Sequence, residues 1–147
     1  IRLKWAHLVD QRLRKVGLGE RARVLAEDAK IALPRLAPDG SVRAVFLHFP
    51  DPWWKKRHEK RLVIGDLLLG QSVRLLAPGG ELFIQTDVEE RRDLYAAQVA
   101  SCAALAPAGD APGSATLLDN PYGARSPREH RAIADGLPVH RLRYRRA

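Results

Sequence analysis

Apolar and polar positions recur along this chain with two different periods, and the switches between them outline its elements. Leu3, His7, Leu8, Leu13 and Val16 fall near helical spacing, and Gly17 supplies a stop. Arg23 to Ala26 reads as a short strand, Asp28 can cap a helix running to about Leu36, and Pro38-Asp39-Gly40 marks a turn. Val42 to Phe49 is a nearly continuous apolar run of strand length. That is the pattern of a central parallel strand covered on both faces, so it is expected to be the best-buried strand. Glu59 to Leu76 places Leu67, Leu68 and Leu75 on one helical face, breaks at Ala77-Pro78-Gly79-Gly80 and leads into a strand from Glu81 to Thr86. A further helix spans Val88 to about Ala104, and Ala106 to Ser114 has the composition of a flexible loop. From Val139 to Arg145 the period drops to two. His140, Leu142 and Tyr144 share one face and the arginines the other, which predicts a half-buried strand, antiparallel, at or near an edge. Alternating helices and strands without an internal repeat predict one α/β domain over residues 1–147.

Composition narrows the setting. The chain is 46% hydrophobic over 147 residues, enough for a real core, and no run approaches the roughly 18 apolar residues of a membrane span. A lone cysteine, Cys102, within an apolar helical stretch is expected to be a buried structural thiol, and with no apolar leader core an intracellular, cytoplasmic setting is expected. The absence of methionine and the start at Ile1 imply a chain that continues upstream. Charge is unevenly placed. The overall +8 resolves into +8 over residues 1–61, −5 over 62–120 and +5 over 121–147, so two basic zones flank an acidic middle. A polyanion such as RNA would be drawn to the ends, although a merely solvated arginine-rich surface has the same composition.

The chemistry concentrates where the apolar strand ends. In His48-Phe49-Pro50-Asp51-Pro52-Trp53-Trp54, Phe49 and Asp51 each precede a proline, which favours extended backbone and a stiff loop holding the Asp51 carboxylate. Lys55, Lys56, Arg57, Lys60 and Arg61 follow, beside two tryptophans able to stack on bases. Ligands of open α/β sheets bind beyond the carboxyl ends of the strands, where Asp28, Asp51 and Asp87 all stand. Simpler readings exist for each. Asp28 can be only a helix cap, Asp87-Val88-Glu89-Glu90 fits a capping box, and the Asp51 loop can be a rigid turn with its aromatics in the core. His7, His48, His58, His130 and His140 show no metal-like spacing with Cys102, so no metal is expected, and no phosphate-binding glycine motif occurs.

The segment Phe49-Pro50-Asp51-Pro52-Trp53, followed by Lys55, Lys56, Arg57, His58, Lys60 and Arg61, resembles the signature of the tRNA (guanine-N7-)-methyltransferases. The likeness extends to Glu27-Asp28-Ala29, 23 residues before Asp51; to Leu76-Ala77-Pro78-Gly79-Gly80; to Thr86-Asp87, 36 residues after Asp51; and to Ser126-Pro127-Arg128-Glu129-His130-Arg131. Ser126 stands where that family has threonine and Arg128 where it has an aromatic residue. The resemblance implies a Rossmann-like class I methyltransferase sheet, mostly parallel with an antiparallel C-terminal strand, whose first strand and glycine loop would lie upstream of Ile1. It implies S-adenosylmethionine as cofactor and tRNA as partner, with methylation at N7 of guanosine 46. By the same resemblance, Asp28 and Asp51 contact the cofactor, Asp51 is catalytic, and Lys55, Asp87, Ser126, Pro127, Arg128 and Glu129 contact substrate. In chemical terms Asp51 orients the reactants and the C-terminal arginines hold phosphates. A noncatalytic tRNA-binding fragment, or a homologue that has lost cofactor binding, is the alternative.

Overall fold

The computed structural model describes residues 3–50 and 64–147. Asp51, Lys55 and the rest of the Asp51 to Val63 segment, including the start expected for the helix from Glu59, lie outside the described residues. The chain divides into two compact units, Ile1–Leu36 and Ala37–Ala147.

In the first unit, helix α1 (Leu3–Lys15) ends as its sequence predicts. Gly17 adopts φ +77°, a left-handed conformation that costs glycine no Cβ clash, and its N–H donates to the Arg14 carbonyl while Leu18 N–H reaches back to Leu13. Asp10 and Arg14 pair one turn apart at 2.8 Å. The strand expected at Arg23 to Ala26 does not form, because an extended segment becomes a strand only against a ladder partner and none pairs with it among the described residues. Helix α2 (Ala29–Ala32) runs into a 3₁₀ turn, Leu33–Arg35, which places Pro34 where its missing N–H costs nothing.

The second unit is a five-stranded sheet flanked by helices. Its elements are β1 (Val42–His48), α3 (Asp66–Leu75), β2 (Leu76–Thr86), α4 (Glu89–Ala100), β3 (Leu105–Pro107), β4 (Thr116–Leu117), α5 (Pro127–Ala134) and β5 (His140–Arg146). The order is β1-β2-β5-β3, with β4 also on β5. β1 and β2 are parallel, and β5 is antiparallel to β2, β3 and β4, so β5 alone runs against the other strands. The expected antiparallel C-terminal strand is therefore present, one position in from the short β3.

The apolar run Val42 to Phe49 is not the best-buried strand. β1 is the edge of the described sheet, none of its residues is buried, and Phe46 is 42% exposed. β2 takes that place because it has a neighbour on each side: Leu82 through Thr86 are all buried. Leu82 and Ile84 share a face with Tyr144 and Leu142 through their register, and α3 and α4 pack on β2 to bury Leu68, Leu75, Tyr95 and Val99. The expected break at Ala77 to Gly80 survives as an irregularity inside β2. Pairing jumps from Val42↔Leu76 to Ala44↔Glu81 around Gly79 at φ +76°. Gly80 is required by close approach, since a Cβ there would lie 2.8 Å from the Ala77 carbonyl and 3.1 Å from that of Val42.

The loop expected at Ala106 to Ser114 forms from Ala108 onward, and it runs along one edge of β5. Ala108 N–H donates to the Arg143 carbonyl, Arg143 N–H donates to Ala115, and β3 and β4 lie on either side. Backbone pairing with β5, which composition does not report, takes only Ala106 and Pro107 of that segment into a strand.

Candidate functional site at the carboxyl ends of β1 and β2

At the end of β1 the chain turns abruptly. Phe49 has φ +48°, so the expectation of extended backbone before Pro50 fails there. Its N–H still donates to the Gln85 carbonyl at 2.8 Å, which ties the turn to β2. A bulky residue in the left-handed region costs on the order of 1–3 kcal/mol, and such strain collects at functional sites.

Beside it, β2 ends at Thr86 and presents Asp87. The capping-box reading of Asp87 is not what forms. Val88 is the N-cap of α4 without a side-chain bond, and Val88 N–H is taken by Thr86 Oγ1 at 3.2 Å. The Asp87 carboxylate, its side chain only 11% exposed, forms an ion pair with Arg128. Two residues expected to contact substrate thus hold each other.

α5 carries the remaining residues of that group. Ser126 is its N-cap, the hydroxyl accepting from Glu129 N–H at 3.1 Å, and Pro127 occupies the first turn. Glu129 is fully buried. Its carboxylate accepts from Arg141 Nη2 at 2.8 Å, Arg141 Nε at 3.2 Å and Asn120 Nδ2 at 3.0 Å. Arg141, itself buried, also donates to the carbonyls of Leu118 and Val139. Burial alone would push the Glu129 carboxyl up, but Gln85, Arg141 and Asn120 around it prevail and hold it below the usual carboxylate range. Glu129 therefore acts here through Arg141 and α5 and offers no surface to a ligand. The register aligns His48, Gln85 and Arg141 across three strands, and His48 Nδ1 and Gln85 Oε1 lie 2.6 Å apart, so a polar row crosses this end of the sheet beneath α5.

Asn120 and Gln85 are site residues that sequence reasoning does not single out, and Arg141, expected on phosphate, is bound to Glu129 instead. Two signals point toward them: Ser126-Pro127-Arg128-Glu129 is itself a capping-box pattern, and Asn120-Pro121-Tyr122-Gly123 is turn chemistry, in which Asn120 Oδ1 accepts from Tyr122 N–H at 3.0 Å. The C-terminal arginines expected to hold phosphates are committed internally. Besides Arg141, Arg143 donates to the Ala108 carbonyl, Arg145 pairs with Glu81 at 2.8 Å and Arg146 donates to the Leu76 carbonyl.

Asp28, in the other unit, is an N-cap whose Oδ1 accepts from Lys30 N–H at 2.9 Å. A cavity of about 560 Å³ beside Arg43, Phe46, Glu81 and Tyr122 lies along the amino-terminal halves of β1 and β2 and includes neither Asp87 nor Ser126 to Glu129. Its wall is an aromatic cluster, with Tyr122 edge-on to Phe46 and Phe83 and its hydroxyl donating to Glu81. Among the described residues no group of acidic, histidine or cysteine side chains could hold a metal ion, and no helix is long and apolar enough to cross a membrane.

Residues 8–141 match a family model described as "Putative methyltransferase". A tRNA (guanine-N(7)-)-methyltransferase of Myxococcus xanthus is 38% identical, over 97% of this chain and 67% of its own length. This chain belongs to the tRNA (guanine-N7-)-methyltransferase family. Family members from Anaeromyxobacter dehalogenans and a Synechococcus strain are 40% and 32% identical, over 82% and 83% of this chain. The chain spans between one half and two-thirds of the length of these three relatives. A crystal structure from Thermus thermophilus described as a "Putative DNA Modification Methylase" superposes with a TM-score of 0.50 at 18% identity, covering 82% of this chain and 51% of that one. That likeness concerns the fold, and it agrees with the Rossmann-like arrangement expected of a family member. The family match crosses the boundary between the two units.

Proposed function

We propose that the chain is the catalytic part of an S-adenosylmethionine-dependent enzyme that methylates N7 of guanosine 46 in tRNA, with both units belonging to one domain and acting in the cytoplasm. The observation that carries this reading is the shared rim. Asp87 leaves β2 as a mostly buried carboxylate uncommitted to a cap, and the adjacent β1 ends in the strained Phe49, two residues before Asp51 in sequence.

Guanine N7 carries a free lone pair, so the reaction needs alignment and exclusion of water rather than a strong base. Bound S-adenosylmethionine would supply an electrophilic methyl group on a sulfonium. Among the described residues, Asp28 suits such a cofactor. Asp28 keeps acceptor lone pairs beyond the one used by Lys30 N–H and can receive an exocyclic amine. Asp51 orients the reacting base and offsets the positive charge that N7 acquires. Asp87 accepts from the N1–H and N2–H edge, a donor pair that distinguishes guanine from adenine. Lys55 and its basic neighbours contact phosphate, and Ser126, Pro127 and Glu129 fix the helix that borders the site.

The test is methyl transfer from labelled S-adenosylmethionine by the full chain to tRNA transcripts carrying guanosine or adenosine at position 46, with calorimetry of S-adenosylhomocysteine alongside. Label should enter the guanosine transcript alone and be lost in Asp51→Asn while tRNA and cofactor affinities stay normal. Equal labelling of both transcripts, or unchanged turnover in Asp51→Asn, would reject the assignment. tRNA binding without any cofactor heat would establish the noncatalytic alternative.

A further inference from the structure

Arg128 is placed with unusual constraint for a half-exposed arginine. The residue before it is a proline in the first turn of α5, and the residue after it is the fully buried Glu129, anchored by Arg141 and Asn120. The backbone at Arg128 is therefore held, while its side chain, 47% exposed, reaches across to an Asp87 carboxylate that is 11% exposed. Of the two partners, Asp87 is the one that cannot relax into water; Arg128 can swing out by changing rotamers alone.

We infer that Arg128 is a specificity-determining residue: it occupies Asp87 in the base-free protein and yields only to a base whose edge replaces it. The inference rests on the reading of Asp87 as the acceptor for the target base. A guanidinium and the N1–H/N2–H edge of guanine offer a carboxylate the same pair of neighbouring N–H donors, so guanine can exchange for Arg128 without stranding a mostly buried charge. Adenine and the pyrimidines lack that pair, and for them the ion pair stays closed. The device lowers apparent affinity for the correct tRNA by the fraction of time Asp87 is covered, and in return excludes the wrong base.

This assigns Arg128 a role opposite in sign to a phosphate contact. Dissociation constants and methyl-transfer kinetics with the guanosine transcript should be compared for the full chain, Arg128→Ala and Arg128→Lys. The expected result is tRNA binding about two- to fivefold tighter in Arg128→Ala, the range for release of a partly exposed ion pair, with Arg128→Lys intermediate and KM falling more than kcat changes. Weaker or unchanged binding in Arg128→Ala, with a shallower salt dependence, would overturn the inference and make Arg128 a phosphate ligand. Absence of methyl transfer by the unmodified chain would count against the catalytic reading alone, because the direction of the affinity change still decides the role of Arg128.

Discussion

Removing the Glu129 carboxylate should be among the costliest single changes in the second unit. In Glu129→Ala the Arg141 guanidinium, buried between α5 and the strands, loses both bonds to the carboxylate and keeps only the carbonyls of Leu118 and Val139. Breaking a buried pair by deleting one partner costs about 3–5 kcal/mol, since an uncompensated charge remains in a low-dielectric setting. For a chain of this length that corresponds to a fall in Tm of roughly 10–20 °C. Urea denaturation followed by circular dichroism would measure it, together with Arg141→Met and the double variant Glu129→Leu/Arg141→Met. The double variant should be far less destabilised than the sum of single changes, because neither charge is then left alone. The carboxyl is held below its usual range, so its stabilisation is complete above the unfolded value near pH 4.3 and disappears as pH falls through the lower folded value. A loss in Glu129→Ala smaller than about 1 kcal/mol, or strict additivity in the cycle, would refute the assignment of this pair as the anchor of α5.

Other consequences are open to direct measurement. Gly80→Ala pushes a methyl group against three backbone carbonyls and should cost about 1–3 kcal/mol in the same urea experiment. Burial pushes the Tyr144 hydroxyl up to about 12, and burial with Glu81 does the same to Tyr122. Unfolded tyrosines release their protons near pH 10, so stability should decline from about pH 10 to about pH 12, and Tyr122→Phe should lessen the slope seen in alkaline thermal melts.

Local periodicity made much of the architecture legible. The stop at Gly17, the strand ending at Thr86, the alternating β5 and the core of the helix expected from Glu59 to Leu76, observed as Asp66–Leu75, follow from residue spacing and turn chemistry, which act over a few residues. What escaped depends on partners far away in sequence. The apolar run of β1 reads as a central strand, yet its burial is decided by how many strands flank it. Arg23 to Ala26 has strand composition but no ladder among the described residues. β3 and β4 are three and two residues long and exist because β5 offers an edge. At the site, sequence placed Asp87, Ser126 and Arg128 in one functional group, and the structure does bring Asp87 and Arg128 together. It could not show that Glu129 faces inward, because the pairing with Arg141 joins residues on different elements, and alternation alone assigns Arg141 to the solvent face.

Of the described strands, the one synthesised last is the one that joins β2 to both short strands. Until residues 140–146 leave the ribosome, β2 lacks one neighbour, Glu129 lacks the Arg141 guanidinium and the 105–117 segment lacks the strand it pairs with, so the second unit cannot close around a partial product. Loss of residues 140–146 would thus leave β2 without its antiparallel neighbour and both short strands without a partner.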